Sequence, residues 1–223
     1  MRVPSPLLAP LLAPLLALLP AAILAGGVLS PAHAQDGPPA GELAAALRRG
    51  GLVLYMRHPA TEAGQADAET IDFEDCTTQR NLSDAGRRVA AEVGAALRAV
   101  RARVGKGVTS EYCRARETAR LMGIAGAEAD SALNNGGRMQ AKGPSSPRAE
   151  GLRAMLRVRP EPGEVTLIVA HRPNILDAAG PDFADLGEAE IIAFRPAPDP
   201  PGFLRLARIR ATDWPAILAA TGG

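Results

Sequence analysis

Two histidines and two arginines carry the chemical interest of this chain. Arg57 and His58 follow the apolar run Leu52–Met56, with Pro59 and Thr61 just beyond. His171 follows a second apolar run, Val165–Ala170. A third short run, Gly107–Tyr112, leads into Cys113, Arg114, Ala115 and Arg116. A guanidinium matches two oxygens of a phosphate at once, so two arginines together define an oxyanion subsite. A neutral imidazole aimed at that subsite can attack phosphorus and carry it covalently. A second imidazole can donate a hydrogen bond to the charge that develops in the transfer. One such histidine would be read most simply as a core or surface residue; the pair, each at the end of an apolar run, points to chemistry. A metal site is the rival, because histidine is a common ligand. Asp72, Glu74 and Asp75 could complete it, but no His-x-x-x-His or comparable short spacing occurs, and no metal is expected. A glycine-rich phosphate loop, a Gly-x-Ser-x-Gly elbow and a Cys-x-x-Cys pair are all missing from the sequence.

Buried strands must position these residues. Five apolar residues bounded by turn formers suit a strand covered on both faces, and Pro59 should end it because proline cannot donate to a ladder. In open α/β sheets, ligands collect beyond the carboxyl ends of the strands, where both histidines would sit. Glu42–Arg49 reads as a short amphipathic helix before the first strand. Ala60–Thr78 is polar, acidic and without period, a loop that would rim a site. Ser83 is the expected N-cap of a long helix with a stripe of Val89, Val93, Ala96, Leu97 and Val100, closed by a turn at Gly105–Gly107. Further helices are expected over Ala115–Met122, Arg148–Leu156 and from Pro173 onward. Ala189–Phe194 and Phe203–Ile209 read as the last strands, antiparallel at an edge, while residues 123–147 show no periodicity. Alternating strands and helices imply an α/β fold: a three-layer α/β/α sandwich with a mostly parallel central sheet.

Residues 1–34 read as a signal peptide: Arg2, then an almost wholly apolar run, then Ala32-His33-Ala34 as a small-x-small cleavage site. An uncleaved anchor is the alternative, since the run is long enough to span. Pro10, Pro14, Pro20 and Gly26-Gly27 argue against a stable spanning helix. Cleavage would leave residues 35–223 as a single domain, without stable membrane insertion, in the periplasm or outside the cell. Losing Arg2 leaves 24 basic and 24 acidic residues, a balance with no footprint for nucleic acid. In an oxidising compartment Cys76 and Cys113, the only cysteines, are most simply a disulfide closing a long loop. A nucleophilic thiol beside Arg114 is the alternative.

Four segments in order resemble the histidine phosphatase superfamily, the phosphoglycerate-mutase-like proteins. Arg57-His58-Pro59-Ala60-Thr61 resembles its Arg-His-Gly-x-Thr signature, and Ser110 through Ala119 its Ser-Pro-x-x-Arg-Ala-x-x-Thr-Ala segment. Ala170-His171-Arg172-Pro173 is similar to its second histidine motif, and Asn81-Leu82-Ser83-x-x-Gly86 to the start of its first long helix. The resemblance implies His58 as the nucleophile that becomes phosphohistidine, with His171 stabilising the transition state. Arg57 and Arg114 would hold the phosphoryl oxygens; Thr61 would orient the loop or serve as a turn residue. Arg116 is read as a solvated or ion-paired helix residue. No metal or organic cofactor is implied.

Two positions depart from the family pattern. Pro59 stands where the signature has glycine and removes an N–H donor. Where many relatives carry a proton-donating glutamate, Leu133-Asn134-Asn135 offers an amide, leaving Glu128 and Asp130 as candidate donors. The implied activity is metal-independent hydrolysis of a small-molecule or cell-envelope phosphomonoester by an exported phosphatase. Exported relatives include phosphatases of lipopolysaccharide-core sugar phosphates. The alternative is a phosphate-binding module that keeps the oxyanion subsite without efficient turnover.

Overall fold

The structure is a computed structural model and describes Met1 and residues 37–135 and 142–221. The expected leader, residues 1–34, lies outside the described residues apart from Met1, as do the glycines at 136 and 137. From residue 37 onward the helices are α1 (Ala40–Arg49), α2 (Asp84–Ala99), α3 (Cys113–Leu121), α4 (Pro147–Arg157), α5 (Arg172–Ala179) and α6 (Trp214–Ala219). The strands are β1 (Leu52–Arg57), β2 (Val104–Thr109), β3 (Glu128–Ala129), β4 (Val165–Ala170), β5 (Ile191–Pro196) and β6 (Phe203–Ile209). They form one sheet in the order β3-β2-β4-β1-β5-β6. Neighbours from β3 through β1 are parallel, while β5 and β6 are added antiparallel at one side.

The alternation of side chains along the central strands makes the three layers. Leu52, Leu54 and Met56 of β1, with Val165, Leu167 and Val169 of β4, pack with the apolar faces of α1, α2, α3 and α6. Val53 and Tyr55, with Ile168 and Ala170, join α4 and α5 on the other face. Both faces are covered, which is why these strands read as unbroken apolar runs rather than alternating ones. Ser83 caps α2 by accepting the Gly86 N–H at 3.1 Å, and Ser146 caps α4 from the Ala149 N–H at 3.3 Å.

The largest boundary difference from the sequence reading lies at β2. Gly105 and Gly107 are not a closing turn; β2 begins at Val104 and runs through both, with a register irregularity between Val104 and Lys106. Crowding favours glycine there, more firmly at Gly107 than at Gly105, whose neighbour is the flexible end of Glu164. A Cβ on Gly107 would come 2.7 Å from the Ile124 side chain, and one on Gly105 would strike the Glu164 carboxylate. Gly86 has a comparable reason, since its Cβ would come 2.1 Å from the Ala60 carbonyl oxygen. That close approach presses the loop after β1 against the start of α2.

Candidate active site

Parallel pairing brings the ends of three strands to one edge. Arg57 pairs with Ala170 across β1 and β4, and Thr109 pairs with Val169 across β2 and β4. The residues one step further, His58, Ser110 and His171, therefore leave the sheet side by side. The His58 N–H extends the ladder to the Ala170 carbonyl at 3.0 Å, and the Ser110 N–H bonds the Val169 carbonyl at 3.1 Å. The two imidazoles lie edge to face with centroids 5.2 Å apart, and both are almost fully buried.

His58 Nδ1 lies 2.8 Å from the Pro59 carbonyl oxygen. A carbonyl can only accept, so Nδ1 carries the proton and the lone pair stays on Nε2. Burial, the Arg114 charge and the charges of Arg57 and Arg80 together push the His58 pKa down to about 3, against the smaller upward pull of the Pro59 carbonyl. Burial first, then the neighbouring His58 and the charges of Arg114, Arg80 and Arg57, hold His171 well below the ordinary histidine range. His171 Nε2 lies 2.8 Å from Ser110 Oγ, while its Nδ1 is buried without a partner. When the Ser110 hydroxyl donates to Nε2, Nδ1 carries the proton and is a free donor. The Tyr55 hydroxyl donates to the His171 carbonyl at 2.7 Å and fixes the start of α5.

Both arginines are held at their Nη ends. Arg57 Nη1 donates to the Leu186 carbonyl at 2.8 Å and Nη2 to the Glu188 carboxylate at 3.1 Å. Arg114 is fully buried, its Cζ lying 4.1 Å from the centre of the Tyr112 ring. Its Nη1 and Nη2 meet the two carboxylate oxygens of Asp67 at 2.8 and 3.2 Å, and Nη1 also reaches the Arg80 carbonyl at 3.2 Å. Arg116 bonds the Phe73 carbonyl and lies 3.5 Å from Glu74, an ion-paired helix residue rather than a ligand of the site.

Cys76 and Cys113 are joined in a disulfide that ties the loop after β1 to the first residue of α3. Gln79 reinforces the link, accepting the Cys113 N–H at 2.9 Å and donating to the Asp72 carbonyl at 2.8 Å. Thr61 makes an isolated antiparallel bridge with Leu82, so its backbone pins the loop to the approach to α2. Asp72 and Asp75 accept backbone N–H groups within their own loop, from Glu74 and Thr77 at 2.9 Å each. Among the described residues no three histidine, cysteine or carboxylate side chains are grouped to hold a metal.

The candidate proton donors have other occupations. Glu128 pairs with Lys106 at 3.3 Å on the exposed end of the sheet, and Asp130 caps a short turn by accepting the Ala132 N–H at 2.8 Å. Asn134 is buried and bonds Glu111 twice. It accepts the Glu111 N–H at 2.9 Å and donates to the Glu111 carboxylate at 2.6 Å. Sequence reasoning singled out neither Asp67, Arg80, Ser110, Tyr112 nor Glu111 for a role. Ser110 alone had a readable signal, its place at the end of a strand that leads to Arg114.

Neither the models of known protein families nor curated proteins match the sequence. Solved structures do match in shape. The protein histidine phosphatase SixA, solved with tungstate, superposes with a TM-score of 0.52 at 15% identity, covering 73% of this chain and 98% of its own. A mycobacterial glucosyl-3-phosphoglycerate phosphatase gives 0.45 at 17% identity over 65% and 92%. Phosphoglycerate mutase from Plasmodium falciparum gives 0.43 at 17% over 71% and 93%. At these identities the likeness to SixA establishes the fold: a phosphoglycerate-mutase-like α/β/α sandwich.

Proposed function

We propose that this chain is a phosphatase that hydrolyses a phosphomonoester through a phosphohistidine on His58, without a metal. The observation that carries the reading is the tautomer of His58. A neutral imidazole anchored through Nδ1 offers its Nε2 lone pair, and two arginines and a second histidine surround it. Nucleophiles that must work near neutral pH need their lone pair free, and a strongly depressed pKa supplies that.

In the proposed reaction His58 Nε2 attacks phosphorus, the P–O ester bond breaks, and the leaving oxygen departs as alkoxide or aryloxide and takes a proton. Water then attacks the phosphohistidine, releasing inorganic phosphate and restoring neutral His58. Arg57 and Arg114 would neutralise the phosphoryl oxygens, and His171 Nδ1–H would donate to the charge that grows on them. The fold shared with SixA, a protein histidine phosphatase that was solved with the oxyanion tungstate, supports the reading. Asn134 cannot protonate a leaving group, which favours phosphomonoesters whose leaving group needs no acid, aryl phosphates among them. Export of the chain to the periplasm or beyond is part of the proposal, supported by residues 1–34 and by the disulfide. No helix of the described residues is long and apolar enough to cross a membrane.

Acid-labile, base-stable phosphoryl label on the chain after a rapid quench, absent from His58→Ala, is the expected result with an aryl phosphate. Turnover with label elsewhere, or label retained in His58→Ala, would overturn the assignment. The asparagine also favours a second reading, a phosphate-binding module, for which phosphate affinity without turnover would be the signature.

A further inference from the structure

Asp67 takes no part in the chemistry just described, yet it makes most of the bonds that hold Arg114. A guanidinium has five N–H groups. Arg114 Nη1 directs its two to Asp67 Oδ1 and the Arg80 carbonyl, and Nη2 directs one to Asp67 Oδ2. The remaining pair is the second N–H of Nη2 and the N–H of Nε, which is buried without a partner. Those two lie parallel along one edge of the planar group. They form a second fork with the spacing of two phosphoryl oxygens. The carboxylate thus fills one fork and leaves the Nε side of the other without a partner.

The same carboxylate oxygen, Oδ1, accepts the backbone N–H of Arg80 at 2.9 Å. Arg80 is thereby fixed at both its main-chain polar groups, and its own Nε is buried without a partner. Its charge is felt at His58, His171, Arg57 and Arg114, so it belongs to the same cationic cluster. Three buried nitrogens without partners, on Arg80, Arg114 and His171, therefore sit in one neighbourhood. Buried donors left open in this way are costly unless a ligand completes them.

We propose that Asp67 is a positioning residue: it locks the Arg114 guanidinium so that its Nε–Nη2 edge is presented to the phosphoryl group. It also seats Arg80 as a third cationic donor to the same anion. The proposal rests on the anion-binding half of the proposed function and not on turnover. The opposite role, a carboxylate competing with phosphate for Arg114, predicts the opposite sign. Removing a competitor tightens phosphate, and so would the loss of a negative charge by simple attraction. Removing a positioning residue loosens phosphate, because the ligand must then order the guanidinium itself.

The test is calorimetric titration of inorganic phosphate into the purified, oxidised chain: wild type, Asp67→Asn, Asp67→Ala and Arg80→Met. Phosphate should bind about tenfold or more weakly in each variant, one lost charge-assisted contact or its ordering. With p-nitrophenyl phosphate, KM should rise in step while kcat falls less, both read at a temperature where each variant is folded, because loss of the Asp67 partner also lowers the melting temperature. Unchanged or tighter phosphate binding in either folded Asp67 variant would overturn the proposal; if the alanine does not fold, the near-isosteric asparagine decides. Wild type that binds no phosphate would sink this proposal and the proposed function together. Phosphate binding without turnover, weakened in the variants, would sink the catalytic reading and leave this one standing.

Discussion

A histidine works as a nucleophile only while its ring is neutral, and His58 is surrounded by groups that keep it so. An imidazole with the ordinary pKa of about 6.5 would lose about thirtyfold of its neutral form by pH 5. With its pKa pushed down to about 3, His58 keeps nearly all of it. The acid limb of kcat/KM on an aryl phosphate should therefore lie below pH 5, with less than about a threefold loss from pH 7 to 5 that the enzyme itself causes. A limb near pH 6.5 that does not follow the ionisation of the substrate would contradict the environment described for His58. Arg57, His58 and His171 were legible in the sequence because apolar runs stop at or just before them, and Arg114 because the segment from Ser110 to Ala119 resembles a family motif. Asp67 was not, because nothing in an acidic, aperiodic loop distinguishes one carboxylate from Asp72 or Asp75. Only the folded chain sets Asp67 against Arg114, 47 residues away.

At the scale of elements, two devices hold the site's rim. The disulfide closes a loop over a sequence separation of 37 and anchors α3 just before Arg114. In the chain-entropy account it contributes roughly 3–4 kcal/mol, so Cys76→Ser with Cys113→Ser should lose about that much in urea denaturation. A loss under about 1 kcal/mol would mean that Gln79 and the loop's own hydrogen bonds suffice. The second device is the buried pair Glu190–Arg208, with bonds of 2.6 and 3.1 Å between β6 and the residue before β5. The Glu190 carbonyl accepts the Arg57 N–H at 3.1 Å, so the pair braces the end of β1. Arg208→Met would strand a buried carboxylate, and a loss of about 3–5 kcal/mol is expected by the same denaturation measurement. Most helices and the antiparallel edge strands were readable from period and caps. The start of β2 was not, since glycines inside a crowded strand look in sequence like glycines demanded by a turn. The two-residue β3 has too few residues to show a period at all.

For the whole molecule, the parallel half of the sheet converts distant sequence into one site, and the cost of burying two histidines there falls on acid stability. In the native state both remain neutral far below pH 6.5, whereas the unfolded chain takes up their protons near that value. Folding stability is therefore full above about pH 6.5 and declines as the pH is lowered below it, since the unfolded state binds more protons. The urea midpoint should fall between pH 7 and pH 5, before most carboxylates titrate, and a flat midpoint would mean the histidines are solvated. The claim on which the rest depends is that His58 is the nucleophile. Its most direct test compares wild type with His58→Ala on p-nitrophenyl phosphate, with chelator present and no metal added, because that leaving group needs no acid. Chelator-resistant turnover in the wild type, falling by about a thousandfold or more in the mutant, is the expected result for loss of a covalent nucleophile. Equal rates in the two proteins would contradict it.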